Sequence, residues 1–214
     1  LLYILFVPYP KEKKQASLKV KKSGSVRLRS PQWRFSLMLA VIAGIIICFN
    51  SIISLRVPDI IVDARMGTAT TAGTVLSLMQ LTGIVAGVGF ASLTHVFKKN
   101  LLMIMCIGFG LALALIGLSG QLWSLVLGTL LAGFTYSTGV TSIFYHLSEK
   151  IPTNLLNLAT SLVLIGCNLG SALSSFFIQL VTPLAPSNNL LFVWIGALMV
   201  LTGVFASQLL ARTK

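Results

Sequence analysis

Acidic side chains are nearly missing from this chain. Glu12, Asp59, Asp63 and Glu149 are the only four among 214 residues, and all charged residues together make up 9%. A soluble domain carries about 25% charge, so a soluble globular fold is excluded. None of the four acids falls inside a long apolar run. The chain therefore lacks the intramembrane carboxylate that proton coupling ordinarily uses. Histidine is as scarce: His95 and His146 are the only two, and both stand at the ends of apolar runs, where solvated or interfacial positions are expected. An intramembrane hydrolase is excluded with them. Ser137 is available as a nucleophile but has no histidine at its depth, and geometry precedes any acid–base role. The three cysteines, Cys48, Cys106 and Cys167, form no CxxC or other metal spacing. They read as small hydrophobes packed between helices, and no metal or cofactor is expected.

What is abundant is apolar sequence, 56% of the chain, and it is arranged in six long runs. These are Phe35 to Val57, Thr71 to Phe97, Leu101 to Leu118, Ser124 to Tyr145, Leu155 to Thr182 and Leu190 to Ala211. A helix needs about 20 such residues to cross a hydrocarbon layer about 30 Å thick. Helices are the expectation because backbone in lipid must satisfy its own hydrogen bonds, and these runs are too long and continuous for barrel strands. All seven prolines are expected in the breaks, outside the spans. Residues 1–10, apolar and then broken by Pro8 and Pro10, read as the last turns of a preceding transmembrane helix. Residues 11–34 read as a basic linker, and residues 35–214 as a six-helix transmembrane domain. On this reading the chain is one piece of a longer protein.

The cations are unevenly placed. Nine of the sixteen Lys and Arg lie between Lys11 and Arg34. If that segment faces the cytoplasm, Lys98, Lys99, Lys150, Arg212 and Lys214 fall on the same side, and only Arg56 and Arg65 lie opposite. This is the positive-inside bias of a multi-pass membrane protein with both ends cytoplasmic, and the inner, plasma membrane of a bacterial cell is the expected location. The net charge of +12 therefore points to a bilayer surface and not to nucleic acid.

The six runs differ in polarity. The third holds no charged or amide residue, and the sixth only Thr202 near its middle, so lipid tolerates both on every side. The first, second, fourth and fifth carry polar groups at depth, and such groups should face protein or water. At about 100° per residue, Asn157, Ser161, Asn168, Ser171, Ser175 and Gln179 of the fifth run fall in one stripe about 80° wide, with Gly166 and Gly170 opposite. Thr135, Thr138, Ser142 and Tyr145 form a stripe on the fourth run, and Gly73, Ser77, Gln80 and Gly87 one on the second. For single Ser and Thr residues, interhelical hydrogen bonding and cavity lining stand level. The amides Asn50, Gln80, Asn168 and Gln179 favour a polar cavity. At the outer end of the first run, Asp59 and Asp63 sit among Arg56 and Arg65 as either a solvated cluster or an outer gate. They pair at i, i+3 or i, i+4 if the helix continues past Pro58.

Three stretches resemble the major facilitator superfamily. The sequence from Pro58 to Gly83 is similar to that family's junction of helices seven and eight, with Gly67 and Gly73 enclosing small residues. The end of the second run, G-F-A-S-L-T-H-V-F-K-K-N, stands where the family carries its cytoplasmic loop motif. His95 occupies the usual Asp position there and Val96 the usual Arg, while Phe97 and Lys99 fit; the loop thus departs from the family's charged latch. The segment Gly133 to Leu173, with Glu149 and Pro152 in its loop, resembles the tenth-to-eleventh helix region. The resemblance implies an all-α membrane protein, the C-terminal half of the fold, running from the end of helix six to helix twelve. It further implies a cavity lined by helices seven, eight, ten and eleven, with nine and twelve peripheral, and the polarity sorting gives the same partition.

The expectation is a secondary active transporter half that works with a missing N-terminal six-helix half and moves a small neutral or amphipathic solute by alternating access. Efflux is slightly favoured, because the lining lacks charged or multi-aromatic sets. Asn50, Gln80, Thr135, Thr138, Asn168, Ser171 and Gln179 are the candidate solute contacts. Arg56, Asp59, Asp63, His95 and Lys99 are the candidate gate and loop residues. A proton or cation is the candidate coupling ion, its carboxylate lying in the missing half. A six-helix membrane scaffold, or the membrane domain of another carrier class, is the alternative.

Overall fold

The computed structural model describes residues 30–97, 100–183 and 187–212. The expected end of a preceding helix, nearly all of the basic linker, and Lys98 and Lys99 lie outside the described residues. The described residues form six helices: α1 (Ser30–Asp63), α2 (Ala69–Phe97), α3 (Leu101–Gly117), α4 (Leu122–Lys150), α5 (Thr153–Val181) and α6 (Asn188–Arg212). Five are long and apolar enough to cross a membrane. The other, α3, has 17 residues. At ~1.5 Å per residue it is about 25 Å long, the short end of what spans a bilayer.

Two expectations fail in α1. The helix begins at Ser30, inside the segment read as linker, and runs through Pro58 to Asp63. Pro31 falls in the first turn, where its missing N–H would be unpaired in any case. Pro58 withholds only the bond to the Ser54 carbonyl, and the apolar residues Val57, Ile60 and Ile61 on either side of it are buried. Their packing holds the helix through the proline.

The α1–α2 turn has a physical cause at each end. Met66 N–H donates to the Ile61 carbonyl at 3.0 Å, and Arg65 N–H to Val62 at 3.1 Å. That is a Schellman closure, and it puts Arg65 at φ 53°, a left-handed conformation unusual for a residue with a Cβ. Thr68 and Thr71 then cap α2 reciprocally: each backbone N–H donates to the other's hydroxyl, at 3.3 and 3.4 Å.

Packing is organised by small residues. α1 is the hub: it lies most closely against α5 and also touches α4 and α2, while α3 packs on α6 and α4, and α2 on α4. At the α1–α5 seam a Cβ on Gly44 would lie 2.8 Å from the Gly166 carbonyl oxygen, and a Cβ on Gly166 or Gly170 would strike the backbone of Ala40 or Gly44. Residues 40 and 44 meet 166 and 170 in ascending order, so α1 and α5 run parallel. Gly110 and Gly196 make the α3–α6 contact, each within 2.7 Å of the other's carbonyl oxygen for an added Cβ. Gly133 approaches the Met79 carbonyl between α4 and α2. Backbones this close gain dispersion contacts, which drive helix association where lipid removes the hydrophobic force.

α3 is not bland on every side. Leu102, Cys106, Phe109, Leu113 and Ile116 are buried, and only one strip, including Leu111 and Leu115, is exposed. Its lack of polar groups reflects dry packing between α4 and α6 as much as lipid. Gly83 and Gly87 share the GxxxG spacing of Gly166 and Gly170, yet nothing lies within 4 Å of a Cβ at Gly87.

Gly170→Ala is expected to lower stability by about 1–3 kcal/mol, the usual scale of overpacking. Gly87→Ala should leave it unchanged or slightly raised through helix propensity. Thermal unfolding of the two variants in the same detergent checks the contrast.

Candidate functional site

On α5 the seam fixes what the rest of the helix does. With Gly166 and Gly170 against α1, the opposite side turns away from the bundle. Asn157, Ser161, Asn168, Ser171, Ser175 and Gln179 are all exposed on it. The stripe also carries its own local bonding. The Ser161 hydroxyl donates to the Asn157 carbonyl at 2.9 Å, and Asn168 Nδ2 to Leu164 at 2.9 Å, which leaves the Asn168 amide oxygen outward. Ser171 Oγ lies 3.3 Å from Ser51 Oγ and ties the stripe's edge to α1. Gln179 borders a shallow recess formed by Leu173, Phe176 and Leu180.

α2 shows the same division. Ala72, Val75, Met79 and Ala86 are buried, while Gly73, Ser77, Gln80 and Gly87 are exposed. Two hydroxyls bind this helix to α4: Thr82 donates to the Leu130 carbonyl at 3.1 Å and Ser137 to the Gly83 carbonyl at 3.0 Å. Those two act as interhelical ties.

α1 supplies Asn50. The residue is half-buried, and its amide oxygen Oδ1 is sealed from solvent with no hydrogen-bond partner among the described residues. A buried amide oxygen without a donor costs about 1–3 kcal/mol. Among the described candidate solute contacts, it is the one with a buried polar atom left unpaired.

The α4 stripe corrects the sequence reading. Thr135 and Thr138 are buried, Thr138 at 1% exposure, and Ser142 is fully enclosed. Thr135 faces α3, not a cavity: a Cβ on Gly108 of α3 would meet Thr135 Cγ2 at 2.9 Å. Both threonine hydroxyls are spent on their own helix, Thr135 on Leu131 at 2.7 Å and Thr138 on Phe134 at 2.9 Å. Periodicity alone does not distinguish a polar side facing water from one facing a neighbouring helix. His146 continues the stripe and is also buried, at 4%, against the interfacial position expected of it. Its Nδ1 lies 3.6 Å from Glu149 Oε2, and its Nε2 has no partner among the described residues. The i, i+4 step from Ser142 was the signal for this placement.

At its C-terminal end α1 continues past Pro58, and Arg56 Nη1 reaches Asp59 Oδ2 at 3.8 Å. Arg56 Nη2 also donates to the Thr182 hydroxyl at 3.5 Å, linking α1 to the end of α5. Asp63 is exposed, and Arg65 is committed to the turn. An exposed pair of this kind contributes about 0–1 kcal/mol. His95 is exposed in the last turn of α2; Lys99 lies outside the described residues. No group of three or more His, Cys, Asp and Glu positioned to hold a metal ion occurs among the described residues.

The family model for the Major Facilitator Superfamily matches residues 1–175. The chain belongs to the major facilitator superfamily. This facilitator is accordingly a multi-pass membrane transporter, and its six helices are those of one half of the fold. The match ends within α5, so Gln179 and all of α6 lie beyond it. A search of curated proteins returns no match.

Cysteine placed on this facilitator at Ser161, Ser175 or Gln179 is expected to react with a water-soluble maleimide in a background where Cys48, Cys106 and Cys167 are serine. Cysteine at Thr135 or Thr138 should stay unlabelled. Equal labelling at both sets would show that α4 also opens to water.

Proposed function

We propose that this chain forms half of a solute path, and that the path follows the outward polar faces of α2 and α5 and the Asn50 amide between them. The observation that carries this is the α5 stripe: six polar residues, all exposed on one side of a membrane helix. Lipid does not accept such a face, so water, solute or a second six-helix unit must cover it. A path between two rocking six-helix halves satisfies all three.

The solute fitting these groups is small and neutral or amphipathic. Asn50, Gln80 and Asn168 carry hydrogen-bonding amides, and Leu164 presents apolar surface beside Asn168. No formal charge sits on either polar face, so a strongly charged solute finds no counter-ion here. Efflux from the cytoplasm of a bacterial cell across its inner membrane, with both ends of the chain cytoplasmic, is the direction we favour. The coupling proton or cation is then carried by groups outside this six-helix unit. Thr135 and Thr138 drop out of the solute contacts, since both are buried and bond to their own helix; Asn50, Gln80, Asn168, Ser171 and Gln179 remain.

Alanine at Asn50, Gln80, Asn168 or Gln179 should each raise the KM for transport about two- to tenfold, the loss of one hydrogen bond at roughly 0.5–1.5 kcal/mol. Membrane insertion should be unaffected, and Thr138→Val should transport normally. Wild-type KM in all four alanine variants would remove the assignment. Uptake into inside-out vesicles against right-side-out ones decides the direction.

A further inference from the structure

The same seam that turns the polar face of α5 outward leaves an apolar groove on its other flank. The groove lies between α1, α5 and α6 and encloses about 540 Å³. Gly44, Gly166 and Gly170 form its floor, and its walls include Leu37, Val41, Leu169, Leu173 and Leu198. A second hollow of about 520 Å³ shares Leu37, Val41 and Leu198 with it and extends it along α6 to Phe205. Thr202 is the one polar side chain on the walls, and its hydroxyl already donates to the Leu198 carbonyl at 2.8 Å. Water entering the groove would find almost no hydrogen-bonding partner, so its occupant is hydrocarbon.

The dimensions and the rim narrow the occupant further. Along α1 the lining runs from Leu37 to Phe49. At ~1.5 Å per residue that is about 18 Å, the depth of one leaflet of a core about 30 Å thick. Trp33 and Arg34 precede Leu37 by four and three residues, which sets them one turn below it on the same side of α1. Trp33 is 45% exposed and Arg34 is exposed. Arg34 also ends the stretch from Lys11 that holds nine cations. An apolar slot one leaflet deep, with an indole and a guanidinium at its mouth, has the complement of an acyl chain joined to an anionic headgroup.

We infer that the α1–α5–α6 groove is a binding site for one anionic phospholipid, with an acyl chain over the glycine floor and the phosphate at Arg34 and Trp33. The site is separate from the solute path, because it opens on the flank of α1–α5 that carries no amide. The lipid fills a hollow beside the tightest helix contact in the bundle, and so stabilises that contact.

Native mass spectrometry of the full chain, with phosphatidylglycerol and phosphatidylcholine of identical acyl chains added in equal amounts, tests this. One phosphatidylglycerol should be retained, preferred about fivefold, on the scale of one cation near a headgroup. Arg34→Gln should abolish the preference while a lipid is still retained. Val41→Trp should abolish retention of either lipid, and Leu198→Trp, which blocks the groove from α6, serves if the first does not fold. Equal retention of the two lipids by the unaltered chain overturns the headgroup assignment. Retention that survives both tryptophans overturns the groove, as does a lipid-free dimer, which would place a second copy there.

Discussion

No carbon fits between α1 and α5 where Gly170 meets the backbone at Gly44. That contact fixes the rotation of both helices about their axes. A helix has one angular degree of freedom once its tilt is set, and a seam of Ala40, Gly44, Gly166 and Gly170 consumes it. Everything else on α5 follows by geometry at about 100° per residue. The amides and hydroxyls a half-turn away are carried outward, and the leucines between them are carried to the flanks. In water, burial of apolar surface would perform this orienting task. In lipid that force is absent, and close backbone packing takes its place.

The bilayer also explains why the hydroxyls divide as they do. A serine or threonine in a membrane helix closes its bonding on its own carbonyl three or four residues back, as Ser77, Thr94, Thr138 and Thr141 do. So satisfied, it can face lipid, protein or water with little penalty, and its position carries little functional information. Amides are different, because four hydrogen-bonding sites cannot all be closed locally. Asn168 closes one and is exposed; Asn50 leaves its oxygen without a donor among the described residues. The proposed solute contacts therefore centre on amides, while the threonines of the α4 stripe are buried.

Much of this was legible in the sequence, and the parts that were not share a cause. The six runs, the short breaks and the amphipathic side of α5 all follow from period and hydropathy. The placement of Gly166 and Gly170 opposite that side is a sequence fact as well. What the sequence could not supply was the identity of the neighbour. Gly83/Gly87 and Gly166/Gly170 have the same spacing, yet only the second pair meets partner backbone too closely to admit a Cβ. Thr135, Thr138 and Ser142 lie as regularly as Ser161, Asn168 and Ser175, yet the first set is buried and the second exposed. Pro58 looked like a terminator because local rules end a helix there; the buried Val57, Ile60 and Ile61 overrule it.

The two flanks of the α1–α5 pair bear on each other. The proposed polar path on one side and the proposed hydrocarbon slot on the other are separated by a seam of three glycines and Ala40. A bulkier seam would fill the slot and push α5 away from α1, and the Ser51–Ser171 contact at the edge of the polar face would open with it. Occupancy of the slot by an acyl chain acts in the opposite sense, holding the pair closed and the polar face in register. The rocking proposed above requires rigidity within each half. Here it rests on three glycines and whatever hydrocarbon lies over them.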